Sequence, residues 1–332
     1  MKQAINQMRR SLNTRLGAIL SALLVFGAAQ ADEAQFPSKP IHFVIPGAAG
    51  SAPDLRARAI APKLALALGQ PVIVDNRPGA LGSIAAREVA RAAPDGHTLI
   101  MNGSLLLMND LLKPDPSFAG MRAFAPVTSV SAAPVILAVS ATLPARTLAE
   151  LIQVARTAPG KTSYASAGPG SMQQLVATAF EQAAGISLLE VPYKSQAQEI
   201  PDLISGQIAT SMAYYPVLAP HLKSGRVRAL AVASQQRLSV LPDLPTFAEA
   251  GFPGIEGKGW MGVMVPLGTP EPIIRRLHKE LAQILKSPEI VEQWNAGGGE
   301  LGGNTPEEFG AYISEEYERW GKRLRELGIK SN

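Results

Sequence analysis

An α/β fold in two successive halves is what this sequence predicts, and three observations carry the expectation. Short runs rich in Val and Ile alternate with segments of helical length through most of the chain. The loops that end such a run and open the next helical segment are built from Gly, Ala, Ser and Pro. The 332 residues, 46% hydrophobic and 17% charged, are enough for two cores at about 150 residues each. That composition also excludes wholesale disorder.

Taken in order, Ile41–Ile45 reads as a buried strand stopped by Pro46-Gly47, followed by a helix over 53–68 that ends at Gly69. A strand over 71–75, a helix over 82–93 stopped by Pro94-Asp95-Gly96, and a strand over 98–101 complete the first set. Strands separated by single helices imply parallel βαβ units with right-handed crossovers. The middle repeats that grammar. A strand over 135–139 precedes Thr147-Leu148-Ala149-Glu150, a capping box opening a helix that ends before Pro159-Gly160. A strand over 163–166, a helix over 172–184 and strands over 188–191, 208–212 and 228–233 follow. Near the end Thr269-Pro270 starts a helix with Pro in its first turn, and Thr305-Pro306-Glu307-Glu308 caps the last one. In that helix Phe309, Ile313, Trp320, Leu324 and Leu327 form an apolar stripe at helical spacing, the pattern of a core face. The glycine cluster 297–303 follows no strand and reads as a loop.

The net charge of +4 has one source. Residues 1–31 hold Lys2, Arg9, Arg10 and Arg15 with no Asp or Glu, and without those four the remaining Lys and Arg balance the 27 acidic residues. The basic stretch leads into an uncharged Leu- and Ala-rich run, 16–29, shorter than the about 20 residues a membrane span needs. Ala29-Gln30-Ala31 then supplies a small-residue cleavage site. This is the pattern of a secretory signal peptide over 1–31, so the sequence predicts a periplasmic protein released from its leader. With no cysteine there is no disulfide, thiolate metal site, cysteine nucleophile or lipid attachment point.

Catalytic patterns are missing as well. The four histidines, His42, His97, His221 and His278, form no metal-ligand spacing. No G-x-S-x-G elbow, Walker motif or G-x-G-x-x-G fingerprint occurs, and Gly168-Pro169-Gly170 lacks the third glycine. No basic stripe with interleaved aromatics points to nucleic acid. The expectation is a protein that is not an enzyme and uses neither metal nor cofactor.

Three strand-to-helix loops are the candidate binding elements: Pro46–Asp54, Asn102-Gly103-Ser104 and Ser163–Ser171. Small residues let a ligand approach the backbone, and the first N–H groups of the next helix are free to donate to a carboxylate or phosphate. Two of them also fit a purely structural reading, because Ser51 with Asp54 and Ser171 with Gln174 match helix-capping patterns. Ligands of α/β sheets bind at such strand ends.

Several ordered motifs carry a family likeness. They are Gly69-Gln70-Pro71-Val72-Ile73-Val74-Asp75-Asn76-Arg77-Pro78-Gly79-Ala80 followed by Gly82, Ala93-Pro94-Asp95-Gly96-His97-Thr98-Leu99, and Val191-Pro192-Tyr193-Lys194. Further stretches are 220–232, Leu241-Pro242-Asp243-Leu244-Pro245-Thr246 and Pro266-Leu267-Gly268-Thr269-Pro270. With them the chain resembles, from Pro37 to Ile329, the extracytoplasmic solute receptors of tripartite tricarboxylate transporters, often called Bug receptors. The resemblance implies a two-domain periplasmic-binding-protein-like (type II) flytrap with two crossing segments, near 126–134 and 252–260. Domain 1 would comprise 32–130 and 256–332, and domain 2 would comprise 131–255. It implies capture of a small carboxylate between the domains by a monomer, and delivery to membrane permease subunits. A sensor role toward a membrane kinase, or an exported α/β enzyme, are the alternative readings. The ligand-binding positions it implies are Gly47, Ala48, Ala49, Gly50, Ser51 and Asp54 in the first loop and Ser104 in the second. In the third they are Ser166, Ala167, Gly168, Gly170 and Ser171, joined by Tyr193 and Tyr214. The chain departs from the family pattern inside the site. Gly47, Ser51 and Pro53 replace an aromatic, a glycine and a threonine; Gln174 replaces a histidine; Ser195 replaces a glycine; and an acidic residue near 213 is absent.

Overall fold

The computed structural model describes residues 36–193 and 196–329, so the expected leader and its cleavage site lie outside the described residues, as do Lys194 and Ser195. Along the chain the strands are β1 (Ile41–Ile45), β2 (Val72–Asn76), β3 (Thr98–Gly103), β4 (Phe124–Pro134), β5 (Ile136–Ser140) and β6 (Ser163–Ser166). They continue with β7 (Leu189–Pro192), β8 (Thr210–Ala213), β9 (Val227–Val232), β10 (Lys258–Pro266) and β11 (Glu300–Leu301). The helices are α1 (Ala52–Leu68), α2 (Ser83–Ala90), α3 (Ser104–Leu112), α4 (Leu148–Thr157) and α5 (Met172–Ala184). They end with α6 (Gln196–Ser205), α7 (Tyr215–Lys223), α8 (Glu271–Leu285), α9 (Pro288–Ala296) and α10 (Pro306–Glu326). Among the described residues no helix is long and apolar enough to cross a membrane.

Two sheets organise these elements. One has the order β11-β4-β10-β3-β1-β2 and the other β7-β6-β8-β5-β9. Strand alternation explains how the first is buried on both faces. Ile41, Phe43 and Ile45 enter one core with Ile60 and Leu64 of α1 and Leu277 and Leu281 of α8. Val44 and Ile100 face the other core, with Ala86 and Val89 of α2 and Phe309, Trp320 and Leu324 of α10. That second core runs on through Val135 into Leu137 of β5, Leu151 of α4 and Phe180 of α5, so one apolar interior bridges both domains.

The expected parallel βαβ units are present in β1, β2 and β3 and again in β6, β7 and β8. The sheets as wholes are mixed. β4 passes with one intervening residue into β5 of the other sheet, and β10 brings the chain back. An outgoing and a returning strand run in opposite directions, so β10 pairs antiparallel with β4 and with β3. For the same reason β5 is antiparallel to β8 and β9. Where the two passages lie side by side they are stitched by backbone bonds: Val135 N–H to Gly257 O at 2.9 Å, Ala233 N–H to Val135 O at 2.8 Å, and Gly257 N–H to Ala233 O at 3.0 Å.

Other expectations change in detail. The glycine cluster 297–303 holds an edge strand, since Glu300 and Leu301 pair with Ala132 and Ser131 of β4. Pro270 is the N-cap of α8 and not a first-turn residue; Pro272 takes that place. Helices α6 and α7 carry an internal proline each, Pro201 and Pro220, which hid them from a reading that treats proline as punctuation. The capping box at Thr305 forms in full, with Glu308 N–H donating to Thr305 Oγ1 and Thr305 N–H to Glu308 Oε2.

Candidate functional site

Because β1, β2 and β3 are parallel, their C-terminal ends share one edge of the sheet, and the helices that follow them, α1, α2 and α3, start from that edge. The N-cap residues are Ser51, Gly82 and Gly103, and at none of the three does a side chain cap the helix. Thr147 at α4, Ser171 at α5 and Thr305 at α10 each accept a backbone N–H, whereas Tyr214 at α7, Pro270 at α8 and Ser287 at α9 do not. Uncapped first-turn amides carry the positive end of the helix dipole and can donate to an anion.

In the first loop Ser51 does not cap α1, Pro53 at the second helical position has no N–H to offer, and the Asp54 side chain is turned to other partners. Its buried carboxylate accepts Gly50 N–H at 2.8 Å, Arg58 Nε at 3.0 Å and Asn76 Nδ2 at 3.0 Å. Burial raises the Asp54 pKa, but the bonds from Arg58, Gly50 and Asn76 outweigh it and hold the carboxyl below its ordinary range. Asp54 therefore fixes the loop, with both oxygens engaged. Asn76 adds a bond to Gly47 O at 2.9 Å. Ala48, Ala49 and Gly50 stay exposed at the loop's tip, while the Ser51 hydroxyl is buried without a partner. Gly47 lies so close to that hydroxyl that a Cβ there would collide with it.

Beside this loop stands Asn102, 3% exposed, at the end of β3. Its Oδ1 accepts Gly103 N–H at 2.8 Å and its Nδ2 has no partner. A Cβ on Gly82 would lie 3.2 Å from both that Nδ2 and Pro46, so the loops after β1, β2 and β3 meet here. The turn before Gly82 is strained, with Ala80 at φ 45° and Leu81 at φ 52°, a region costing non-glycine residues roughly 1–2 kcal/mol each. Ser104, the third expected contact, accepts Trp260 N–H at 3.3 Å and ties α3 to the return strand.

In the other domain β6, β7 and β8 again send α5, α6 and α7 from one edge. The loop Ser166–Ser171 is internally bonded. Gly168 N–H donates to Ser166 Oγ at 2.8 Å, Gly170 N–H to Gln174 Oε1 at 2.7 Å, Ser171 N–H to Gly168 O at 3.0 Å, and Gln174 N–H to Ser171 Oγ at 3.3 Å. Ser171 thus caps α5, as its structural reading expected. Ala167 is exposed with Pro169, and Gly168 and Gly170 are buried. The loop faces domain 1: a Cβ on Gly170 would sit 2.8 Å from Leu112 Cδ1 and 3.7 Å from Leu81 Cδ1. Tyr193 donates its hydroxyl to Asp202 Oδ2 at 2.6 Å; burial and that carboxylate push its pKa up to about 12. Tyr214 reaches the return strand, where its hydroxyl fills the space a side chain at Gly259 would need, and burial raises its pKa.

The structure thus brings the first loop together with Asn102 and the turn at Gly82, and sets the Ser166–Ser171 loop against Leu81 and Leu112. Asn76, Asn102, Leu81, Leu112 and Glu190 were absent from the expected set. Asn76 stood inside a quoted motif, and Asn102 inside a candidate turn, so both carried a signal. No group of three or more His, Cys, Asp or Glu able to hold a metal occurs among the described residues.

Residues 56–329 match the family model described as the tripartite tricarboxylate transporter family receptor. The chain belongs to that receptor family. The receptor is similar to the protein BugT of Bordetella pertussis, 32% identical over 96% of this chain and 98% of that one. Its fold is similar to Rpa4515 of R. palustris solved with adipate, at TM-score 0.83 and 33% identity over 89% of this chain and 99% of that one. It is also similar to MatC of Rhodopseudomonas palustris with bound malate, at TM-score 0.79 and 30% identity over 87% and 100%. The receptor is accordingly a non-enzymatic solute-binding protein of a periplasmic family, with the two-domain periplasmic-binding-protein-like fold. The family match begins after the first loop.

Proposed function

We propose that the receptor captures one small carboxylate between its domains and presents the closed form to the membrane subunits of a tripartite transporter. The carboxylate would sit at the shared edge of β1, β2 and β3, among Gly47, Ala48, Ala49, Gly50, Ser51, Asn102 and Ser104. One observation carries this reading. Three helix N-termini at that edge lack side-chain caps, and two buried polar groups beside them, Ser51 Oγ and Asn102 Nδ2, have no partner. Buried polar groups are normally satisfied, and a bound anion would satisfy these.

Hydrogen bonds to a charged group contribute about 1.5–3 kcal/mol each, so four or five reach the roughly 8 kcal/mol of a micromolar complex. The solved relatives with adipate and malate point to the same ligand chemistry. Closure would follow from tighter binding to the closed form, with the Ser166–Ser171 loop, Tyr193 and Tyr214 completing the cleft. Export by the leader would deliver the receptor to the periplasm.

A thermal-shift screen of the leaderless protein against carboxylates, amino acids and neutral solutes tests the reading. A carboxylate is expected to raise the melting temperature. Stabilisation by a neutral solute alone, or turnover of a stabilising acid, would overturn it.

A further inference from the structure

Glu190, on β7, lies behind the Ser166–Ser171 loop and commands its polar groups. Its Oε1 accepts the Ser166 hydroxyl at 2.6 Å, and its Oε2 accepts Gln174 Nε2 at 2.9 Å. Ser166 and Gln174 in turn accept the amides of Gly168 and Gly170. One carboxylate therefore turns two side chains and, through them, two backbone donors inward.

The first loop uses Asp54 in a similar way, but there Arg58 neutralises the charge through the ion pair at 3.0 Å. No cation pairs with Glu190 among the described residues. Its field is felt nearby: after burial, the Glu190 charge helps to raise both Glu181 and Tyr164. What the loop leaves exposed is apolar, Ala167 and Pro169, and Gly170 packs against Leu81 and Leu112.

Resting on the carboxylate reading above, we infer that this receptor selects acids with a single carboxylate and an apolar remainder, and that Glu190 is the residue that rejects a second carboxylate. A ligand anchored at the edge of β1, β2 and β3 directs its far end at the Ser166–Ser171 loop. A second carboxylate there would meet a like charge with no cation paired to it among the described residues, and a loop whose Ser166 hydroxyl and glycine amides are already engaged. A methyl group or a ring would meet the exposed Ala167 and Pro169. Rejection by an unpaired charge is a means of specificity in its own right.

The test compares hexanoate with adipate, which differ by a methyl group against a carboxylate at the same length, by titration calorimetry on wild type, Glu190→Gln and Glu190→Met. Wild type is expected to bind hexanoate about tenfold or more tighter than adipate. Each variant is expected to narrow that ratio about tenfold, with hexanoate affinity changed less than about threefold. The ratio is measured within one folded protein, so a loss of stability does not mimic the result, and the wild-type ratio decides even where a variant fails to fold.

Adipate bound as tightly as hexanoate by wild type overturns the ligand class. A ratio unchanged in both variants overturns the assignment to Glu190. A panel in which a neutral solute binds and no acid does overturns the carboxylate reading itself, a separate result.

Discussion

Glu199, in α6 directly after the Tyr193 segment, offers the sharpest test of the electrostatics. It is 1% exposed, and its Oε1 accepts the Ser211 hydroxyl at 2.8 Å. Burial dominates and pushes its pKa from 4.5 up to about 7, against the opposing bond from Ser211. The folded protein thus holds this proton more tightly than the unfolded chain, so stability falls as pH rises from 4.5 toward 7 and stays low above it. At about 1.36 kcal/mol per pH unit the whole effect is about 3 kcal/mol. Glu199→Gln keeps an acceptor for Ser211 and removes the titration. Urea unfolding of both proteins between pH 5 and 8.5 checks it, because every other titrating group cancels in the difference. The variant should match wild type near pH 5 and exceed its stability by about 2–3 kcal/mol at pH 8.5. A difference that does not vary with pH, or a wild type whose advantage grows with pH, would refute the assignment of a buried, charge-averse carboxyl.

Asn102→Asp keeps the acceptor for Gly103 N–H but replaces the free donor by a charged acceptor; binding of the captured acid should fall about tenfold or more by calorimetry. Gly103→Ala would drive a Cβ into the Trp260 carbonyl, a backbone atom that has little room to move, and should cost about 2–3 kcal/mol in urea unfolding. Gly259→Ala should lower the melting temperature, and Tyr214→Phe in the same chain should recover part of the loss by removing the colliding hydroxyl. Thr305→Ala removes the bond to Glu308 N–H and should cost about 1 kcal/mol, with ligand affinity unchanged.

The parts of the fold that were legible in the sequence are those in which local chemistry and tertiary context agree. β1, β2 and β3, α1, α4 and α5 carry strong runs or cap residues, and they occur within a few residues of their expected bounds. What stayed hidden depends on partners distant in sequence. β10 is a strand because β3 and β4 flank it, and Glu300–Leu301 is one only because β4 offers a free edge. Pro201 and Pro220 sit inside helices whose packing outweighs the lost bonds. The site divides the same way. A capping pattern at Ser51 is visible in sequence, yet the cap does not form and the Asp54 side chain bonds Gly50, Arg58 and Asn76 instead. The pattern at Ser171 does form, and Gln174, read only as its partner, turns out to link the loop to Glu190.

The two loops across the cleft show how a chain with almost no surplus charge can still discriminate anions. Residues 1–31 hold all of the net positive charge, so the described part has no global field to attract a carboxylate. On the proposed reading attraction is local, where helix starts are left uncapped beside unpartnered Ser51 and Asn102. Each loop needs an acid to hold its glycine amides in place, Asp54 in one and Glu190 in the other. Among the described residues only the first acid has an ion-pair partner, Arg58, so on the proposed reading the first loop orders its backbone without repelling the ligand. On the proposed reading the same structural device makes one wall of the cleft receptive to a carboxylate and the other resistant to it. An asymmetric ligand, anionic at one end only, is the shape of solute that this pair of walls fits.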